Sequence, residues 1–277
     1  MVSASGSHRL QVVILDLDGV VYRGDRPVDG AAELVRQLHG AGLLVRYATN
    51  NSMSTRSEYA ERLRRMGIAA DATEIVTSTS ATIAHLRRHE PQLRTILAVG
   101  ADGMLEELRS AGYEVFPAAD AEDQRVDAVL VGLDPEFDDR RLAVATREVR
   151  AGARFIATNA DARYPTPTGF RPGAGAMVAV IRDASGVEPL VIGKPEPAMF
   201  RAILDATGVG PEEALVIGDN PDSDIRAAHQ AGIESVLVLT GVTAPDAVGS
   251  LTGDRAPDHV AADPREAWDL VEARINR

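Results

Sequence analysis

The chain has 277 residues, 45% of them hydrophobic and 4% aromatic, carries a formal net charge of −12, and contains no cysteine. The acid excess argues against a broad surface for nucleic-acid phosphates, and the missing thiols exclude disulfides and thiolate metal sites. No apolar run approaches the ~20 residues of a membrane helix, and residues 1–9 are polar with no apolar signal-peptide stretch, so the expected address is cytoplasmic, with no membrane and no nucleic-acid partner.

Residues 12–15, Val-Val-Ile-Leu, read as a strand buried on both faces, the pattern of a parallel sheet covered by helices. Asp16 and Asp18 follow at its C-terminal end. Residues i and i+2 of an extended segment point the same way, so these carboxylates are expected to face one site, at the edge where open α/β sheets bind ligands. Two such anions repel, and one would protonate unless a cation lay between them. A hard cation with oxygen ligands, Mg²⁺, is the economical solution. A calcium loop begins the same way, but its later ligand positions fall on Val20 and Pro27, so that alternative fails. A plain surface turn also uses Asp-x-Asp-Gly.

Residues 27–42 read as a helix, with Ala32, Val35, Leu38 and Ala41 on one face and Gly40 and Gly42 closing it. A strand over 43–48 leads into Thr49-Asn50-Asn51-Ser52, and Ser54 precedes a helix over 55–66. Small polar residues between a strand and a helix suit a phosphate-binding turn, and they suit simple helix capping equally. Strands are expected at 73–77, 95–100, 126–132 and 155–161, and helices at 78–89, 104–110 and 140–150. Residues 164–175, rich in Pro and Gly, are expected to be a loop. Its Gly173-Ala174-Gly175 is no dinucleotide fingerprint, because Val178 stands at the third glycine position. A strand at 190–192 feeds Gly193-Lys194-Pro195, which is no nucleotide P-loop, because Glu188 and Pro195 occupy its required Gly and Ser or Thr positions. A lysine at a buried strand end needs an anionic partner. After a helix over 197–207, a strand over 214–218 ends at Asp219, with Asp222 and Asp224 just beyond. The final strand is expected at 235–239 and the closing helix at 264–275.

Four strand ends therefore carry polar chemistry: Asp16 with Asp18, Thr49 with Asn50, Lys194, and Asp219 with Asp224. In one parallel sheet these ends share an edge. Carboxylates there hold a metal, Lys194 and Thr49 supply charge and a hydrogen bond to an anion, and one carboxylate is left to attack.

Asp16-Leu17-Asp18-Gly19, Thr49-Asn50-Asn51, Gly193-Lys194-Pro195 and Gly218-Asp219-Asn220 through Asp224 resemble the four signature motifs of the haloacid dehalogenase superfamily. The wide gap between the second and third motifs resembles its branch with an inserted α/β (type IIA) cap, and the chain is most similar to the p-nitrophenyl phosphatases, NagD-like nucleotidases, and phosphoglycolate and glycerol 3-phosphate phosphatases. The match includes the cap segments Val131-Gly132-Leu133-Asp134 and Ala157-Thr158-Asn159 through Gly175. What the resemblance implies is an α/β fold: a Rossmann-like parallel-sheet core over 1–80 and 184–277, interrupted by a cap over 81–183. It further implies a Mg²⁺-dependent phosphatase for a small phosphorylated metabolite, with Asp16 as nucleophile forming an aspartyl-phosphate and Asp18 as general acid and base. Mg²⁺ would be held by Asp16, by the backbone carbonyl of Asp18 and by Asp219, with Asp224 orienting the metal's waters. Thr49 and Lys194 would clamp the phosphoryl oxygens, and Gly19, Asn50, Asn51, Asn159, Asp161 and Arg163 would complete the phosphate and substrate contacts. A homodimer through the cap is implied as well. Relatives read Asn-Pro-Asp where this chain has Asn159-Ala160-Asp161, which bears on how the cap loop recognises substrate. The alternatives are a nucleotidase or pyridoxal phosphate phosphatase of the same family, a phosphomutase, a binding protein without turnover and, from another class, a receiver-like domain that accepts a phosphoryl group on Asp. Receivers are shorter, and nothing in them plays the part of Asp18.

Overall fold

The computed structural model describes residues 9–121, 124–166 and 169–276. The chain divides into two compact units, Met1–Ala48 with Ala60–Ile75 and Ile203–Arg277, and Thr49–Tyr59 with Val76–Ala202.

The first unit is built on a six-stranded sheet with Val12–Asp16 at its interior. Val12, Val13, Ile14 and Leu15 are all 0% exposed, as the aliphatic run requires of a strand covered on both faces. Ala214–Gly218 and Leu44–Thr49 flank it, both parallel, in the registers Val12↔Ala214 and Asp16↔Ala48. Glu234–Val238 and His259–Ala261 extend the sheet on one side and Ile75–Thr77 on the other. The closing helix Pro264–Ile275 begins at Asp263, whose carboxylate accepts from the N–H groups of Arg265 and Glu266, a side-chain cap with proline at the first helical position. It packs on the helix Ala31–Gly40.

The second unit carries a five-stranded sheet in the order Leu190–Val191, Arg154–Ala157, Ala128–Val131, Thr95–Val99, Glu114–Pro117. Every pairing in it is parallel. The helices Asp139–Arg150 and Ala174–Ser185 lie against one another and close a core with Leu97, Val129, Phe155 and Ile181.

Three expectations are corrected here. Residues 164–175 are not a loop throughout: Arg163–Thr166 and Gly169–Pro172 pair as antiparallel strands and Ala174–Ser185 is a helix, while 167 and 168 lie outside the described residues. Proline is tolerated in this pair because both strands are edges, where a missing N–H can face outward. The helix buries Ala174, Met177, Val178 and Ile181, an i, i+3, i+4, i+7 stripe that the neighbouring glycines obscure. The strand before Lys194 does not join the first sheet. Leu190–Val191 pairs with Arg154–Ala157 in the second, as Leu190↔Ile156 and Val191↔Ala157, so the four polar strand ends do not share one sheet. The strand Glu234–Val238 is not the last, because His259–Ala261 follows it in the same sheet.

Candidate active site

Asp16 is the last residue of its strand and is 9% exposed. Asp219 follows the neighbouring strand, and Asp224 lies in the helical turn Pro221–Ile225; they are 4% and 1% exposed. One oxygen from each of these three carboxylates lies within 4.8 Å of the others. Asp219 is fixed from several sides. Its Oδ2 accepts from the Val242 N–H at 2.7 Å, and its carbonyl accepts from the Thr243 hydroxyl at 2.7 Å. A Cβ on Gly19, where φ is +87°, would meet that same Oδ2 at 2.3 Å, so only glycine serves both the turn and the close approach. The Gly19 carbonyl accepts from the Thr240 hydroxyl at 2.6 Å. Asp224 Oδ2 accepts from the Asn220 N–H at 3.1 Å.

Three buried, converging carboxylates with oxygen donors only form a set that suits a hard divalent cation, since their mutual repulsion then becomes ligation. Asp18 is outside this set. The strand stops at Asp16, and the chain turns, with the Gly19 N–H donating to the Tyr22 carbonyl at 2.8 Å and the Val21 N–H to that of Leu17 at 2.9 Å. The same-face rule applies only to extended backbone; past the turn Asp18 is exposed, with its Oδ2 3.4 Å from the Tyr22 hydroxyl.

In the second unit, Lys194 is 3% exposed and its peptide bond to Pro195 is cis. Asn50 Oδ1 accepts from the Lys194 N–H at 2.8 Å, while its Nδ2 donates to the Lys194 carbonyl at 2.8 Å and to Asp161 Oδ2 at 3.0 Å. Asn159 Nδ2 donates to the Asn50 carbonyl at 2.8 Å, and its Oδ1 accepts from the Asp161 N–H at 3.1 Å. Thr49 Oγ1 accepts from the Asn51 N–H at 3.1 Å, and Asn51 Oδ1 from that of Met53 at 2.8 Å. Asn50, Asn159, Asp161 and Lys194 are thus one network. Arg163 stands apart on the antiparallel strand pair, exposed, with its guanidinium 5.9 Å from the centre of the Phe170 ring.

Sequence reasoning passed over Ser78, whose hydroxyl donates to the Asn50 carbonyl at 2.7 Å, and the segment Thr240-Gly241-Val242-Thr243 around Asp219. The second carried a legible signal, two hydroxyls beside a glycine just after an aliphatic strand. A separate cavity of about 510 Å³ in the second unit is lined by Met53, Leu133, Phe137, Tyr164 and Met177 among others, and by none of the expected site residues. Asp134 also lines it; burial pushes this carboxyl up, against the opposing pull of the Glu136 N–H and of Arg141.

The family of haloacid dehalogenase-like hydrolases matches residues 13–114, and a HAD-hydrolase-like family matches residues 191–267. An acid sugar phosphatase from Staphylococcus epidermidis is 37% identical over 84% of this chain and 88% of its own length. The structure of a glycerol phosphate phosphatase from Mycobacterium tuberculosis in complex with magnesium superposes with a TM-score of 0.85 at 32% identity, covering 94% of this chain and 77% of that one. NagD from Escherichia coli K-12 superposes with a TM-score of 0.84 at 34% identity, covering 92% and 97%. Fold, acidic cluster and relatives together define a phosphoric monoester hydrolase. The chain belongs to the haloacid dehalogenase-like hydrolases, among their type IIA phosphatases, and the receiver-domain alternative is set aside.

Proposed function

We propose that the chain hydrolyses a small phosphomonoester of the glycerol 3-phosphate, phosphoglycolate or sugar phosphate class, with Mg²⁺ and through an aspartyl-phosphate on Asp16. The observation that carries this reading is the convergence of Asp16, Asp219 and Asp224 within 4.8 Å. These residues, with the Asp18 carbonyl, would hold the cation, which supplies charge neutralisation at the phosphoryl group. The Asp16 carboxylate attacks phosphorus as the bond to the ester oxygen breaks, and Asp18 gives its proton to that oxygen. Asp18 then takes a proton from water, whose oxygen attacks phosphorus, releasing inorganic phosphate and the free Asp16 carboxylate. Lys194 and Thr49 would offer charge and a hydrogen bond to the phosphoryl oxygens, and Gly19 and Asn51 would add to the phosphate contacts. Residues 81–183 act as the cap that selects the ester, Arg163 contributes to that selection, and the enzyme works in the cytoplasm as a homodimer joined through the cap.

A phosphate-release screen with Mg²⁺ tests the substrate class, using sugar phosphates, glycerol 3-phosphate, phosphoglycolate, pyridoxal phosphate and nucleoside monophosphates. Highest kcat/KM on the small sugar and glycerol esters is expected. A clear preference for nucleotides or pyridoxal phosphate overturns the substrate assignment. A stable phosphorylated Asp16 without turnover overturns the mechanism.

A further inference from the structure

Asn50 follows a strand end, where a polar side chain would ordinarily be read as a ligand contact, yet both of its amide hydrogens are committed within the protein. One goes to the Lys194 carbonyl and one to Asp161 Oδ2, while Oδ1 takes the Lys194 N–H. An asparagine has two side-chain donors, so none is left for a phosphate oxygen. The amide orientation follows from the partners: flipped, Oδ1 would face the Lys194 carbonyl and the Asp161 carboxylate, two acceptors. Gripping the N–H and the C=O of one residue fixes that residue's main chain. Asn50 is itself held by its own carbonyl, which accepts from the Ser78 hydroxyl at 2.7 Å and from Asn159 Nδ2 at 2.8 Å. Ser78 is 0% exposed and Asn159 4%, so this frame is shielded from solvent, where its hydrogen bonds face little competition from water.

We propose that Asn50 is a positioning residue that sets Lys194 through its main chain, and that Ser78, Asn159 and Asp161 belong to this frame and not to the substrate-binding surface. This rests on the reading that Lys194 acts on the phosphoryl oxygens. A lysine moved from its place is felt where charge develops, in the transition state, and less in ground-state binding. The split between kcat and KM therefore distinguishes positioning from contact.

The test measures kcat and KM with p-nitrophenyl phosphate at saturating Mg²⁺ for Lys194→Met, Asn50→Asp, and Asn50→Asp combined with Asp161→Asn. Asn50→Asp keeps an acceptor for the Lys194 N–H but turns a carboxylate oxygen toward the Lys194 carbonyl and Asp161. A fall in kcat of roughly 10²-fold with little change in KM is expected, the scale of a misplaced catalytic group. Adding Asp161→Asn reverses the polarity of that contact and is expected to restore about tenfold of the loss. A raised KM at unchanged kcat, or a second change that deepens the loss, overturns the positioning role. Should Asn50→Asp fail to fold, Ser78→Ala poses the same question: lower kcat at unchanged KM supports the frame, and unchanged kcat overturns it. Lys194→Met with normal kcat overturns the underlying reading of the lysine, whatever Asn50 does.

Discussion

A Cβ on Gly241 would lie 1.7 Å from Oδ2 of Asp219. The same oxygen accepts the Val242 N–H at 2.7 Å, so the turn after the strand Glu234–Val238 wraps the carboxylate with bare backbone. Gly241→Ala therefore has to displace either the turn or Asp219. With Asp219 in its proposed role of metal ligand, a loss of roughly 10- to 100-fold in metal affinity or activity is expected. The Mg²⁺ dependence of kcat for p-nitrophenyl phosphate checks it, and a wild-type Mg²⁺ profile would count against the role given to Asp219.

Removal of divalent cations with a chelator is expected to abolish turnover, and Mg²⁺ to restore it. Calcium is expected to inhibit, because its larger and looser coordination shell would misplace the Asp16 carboxylate. Full turnover by a chelated, metal-free preparation would sink the metal assignment.

The two carboxylates of the Asp16-Leu17-Asp18 segment separate by leaving group. Under the proposed mechanism an alkoxide would need the proton of Asp18, whereas nitrophenolate would leave without it. Asp18→Asn is expected to lose activity on glycerol 3-phosphate yet still phosphorylate Asp16 from p-nitrophenyl phosphate, then stall. Rapid mixing would show a burst of about one nitrophenolate per site, the sign of an accumulating covalent intermediate. Asp16→Asn is expected to give no burst with any substrate. A burst from Asp16→Asn, or normal alkyl phosphate turnover by Asp18→Asn, would reverse the roles.

Glu234 links stability to pH. Burial pushes its carboxyl up, but hydrogen bonds with the His259 ring and from Arg274 outweigh this and hold it below its ordinary value. A folded-state value below the unfolded one gives a stabilising contribution that is complete above the unfolded value, near ~4.3, and is lost as pH falls through the depressed folded value. Glu234→Gln is expected to melt below the wild type at neutral pH, with the gap narrowing in acid. Thermal melts from about pH 7 to about pH 3 check this; a constant gap across that range would mean that Glu234 ionisation does not contribute.

Local chemistry made much of this molecule legible. The aliphatic run before Asp16 marked the interior strand, and the helix Ser78–His89 starts where expected because Thr77 and Ser80 form a reciprocal cap. Partner choice was not local. Leu190-Val191-Ile192 announces a strand, but nothing in those residues says that its neighbour is Arg154–Ala157 and not a strand of the first sheet. The motifs marked Asp16, Asp219 and Asp224, which the structure brings together. They could not say whether Asn50 and Asp161 face a ligand or each other, because a side-chain amide serves either purpose and only the positions of Lys194 and Ser78 decide.

Gly19 and Thr240 are joined by a hydrogen bond across 221 residues of chain, and Asp16 meets Asp219 over a comparable span. Contacts of such long range form late and at high entropic cost. A growing chain that has emerged only as far as Leu215 holds the strand Val12–Asp16 but neither Asp219, Asp224 nor the turn at Gly241. Assembly of the full acidic set must therefore wait for the strand Ala214–Gly218 and the turn at Gly241, so a chain released before Asp219 yields a product without the Asp16–Asp219–Asp224 cluster.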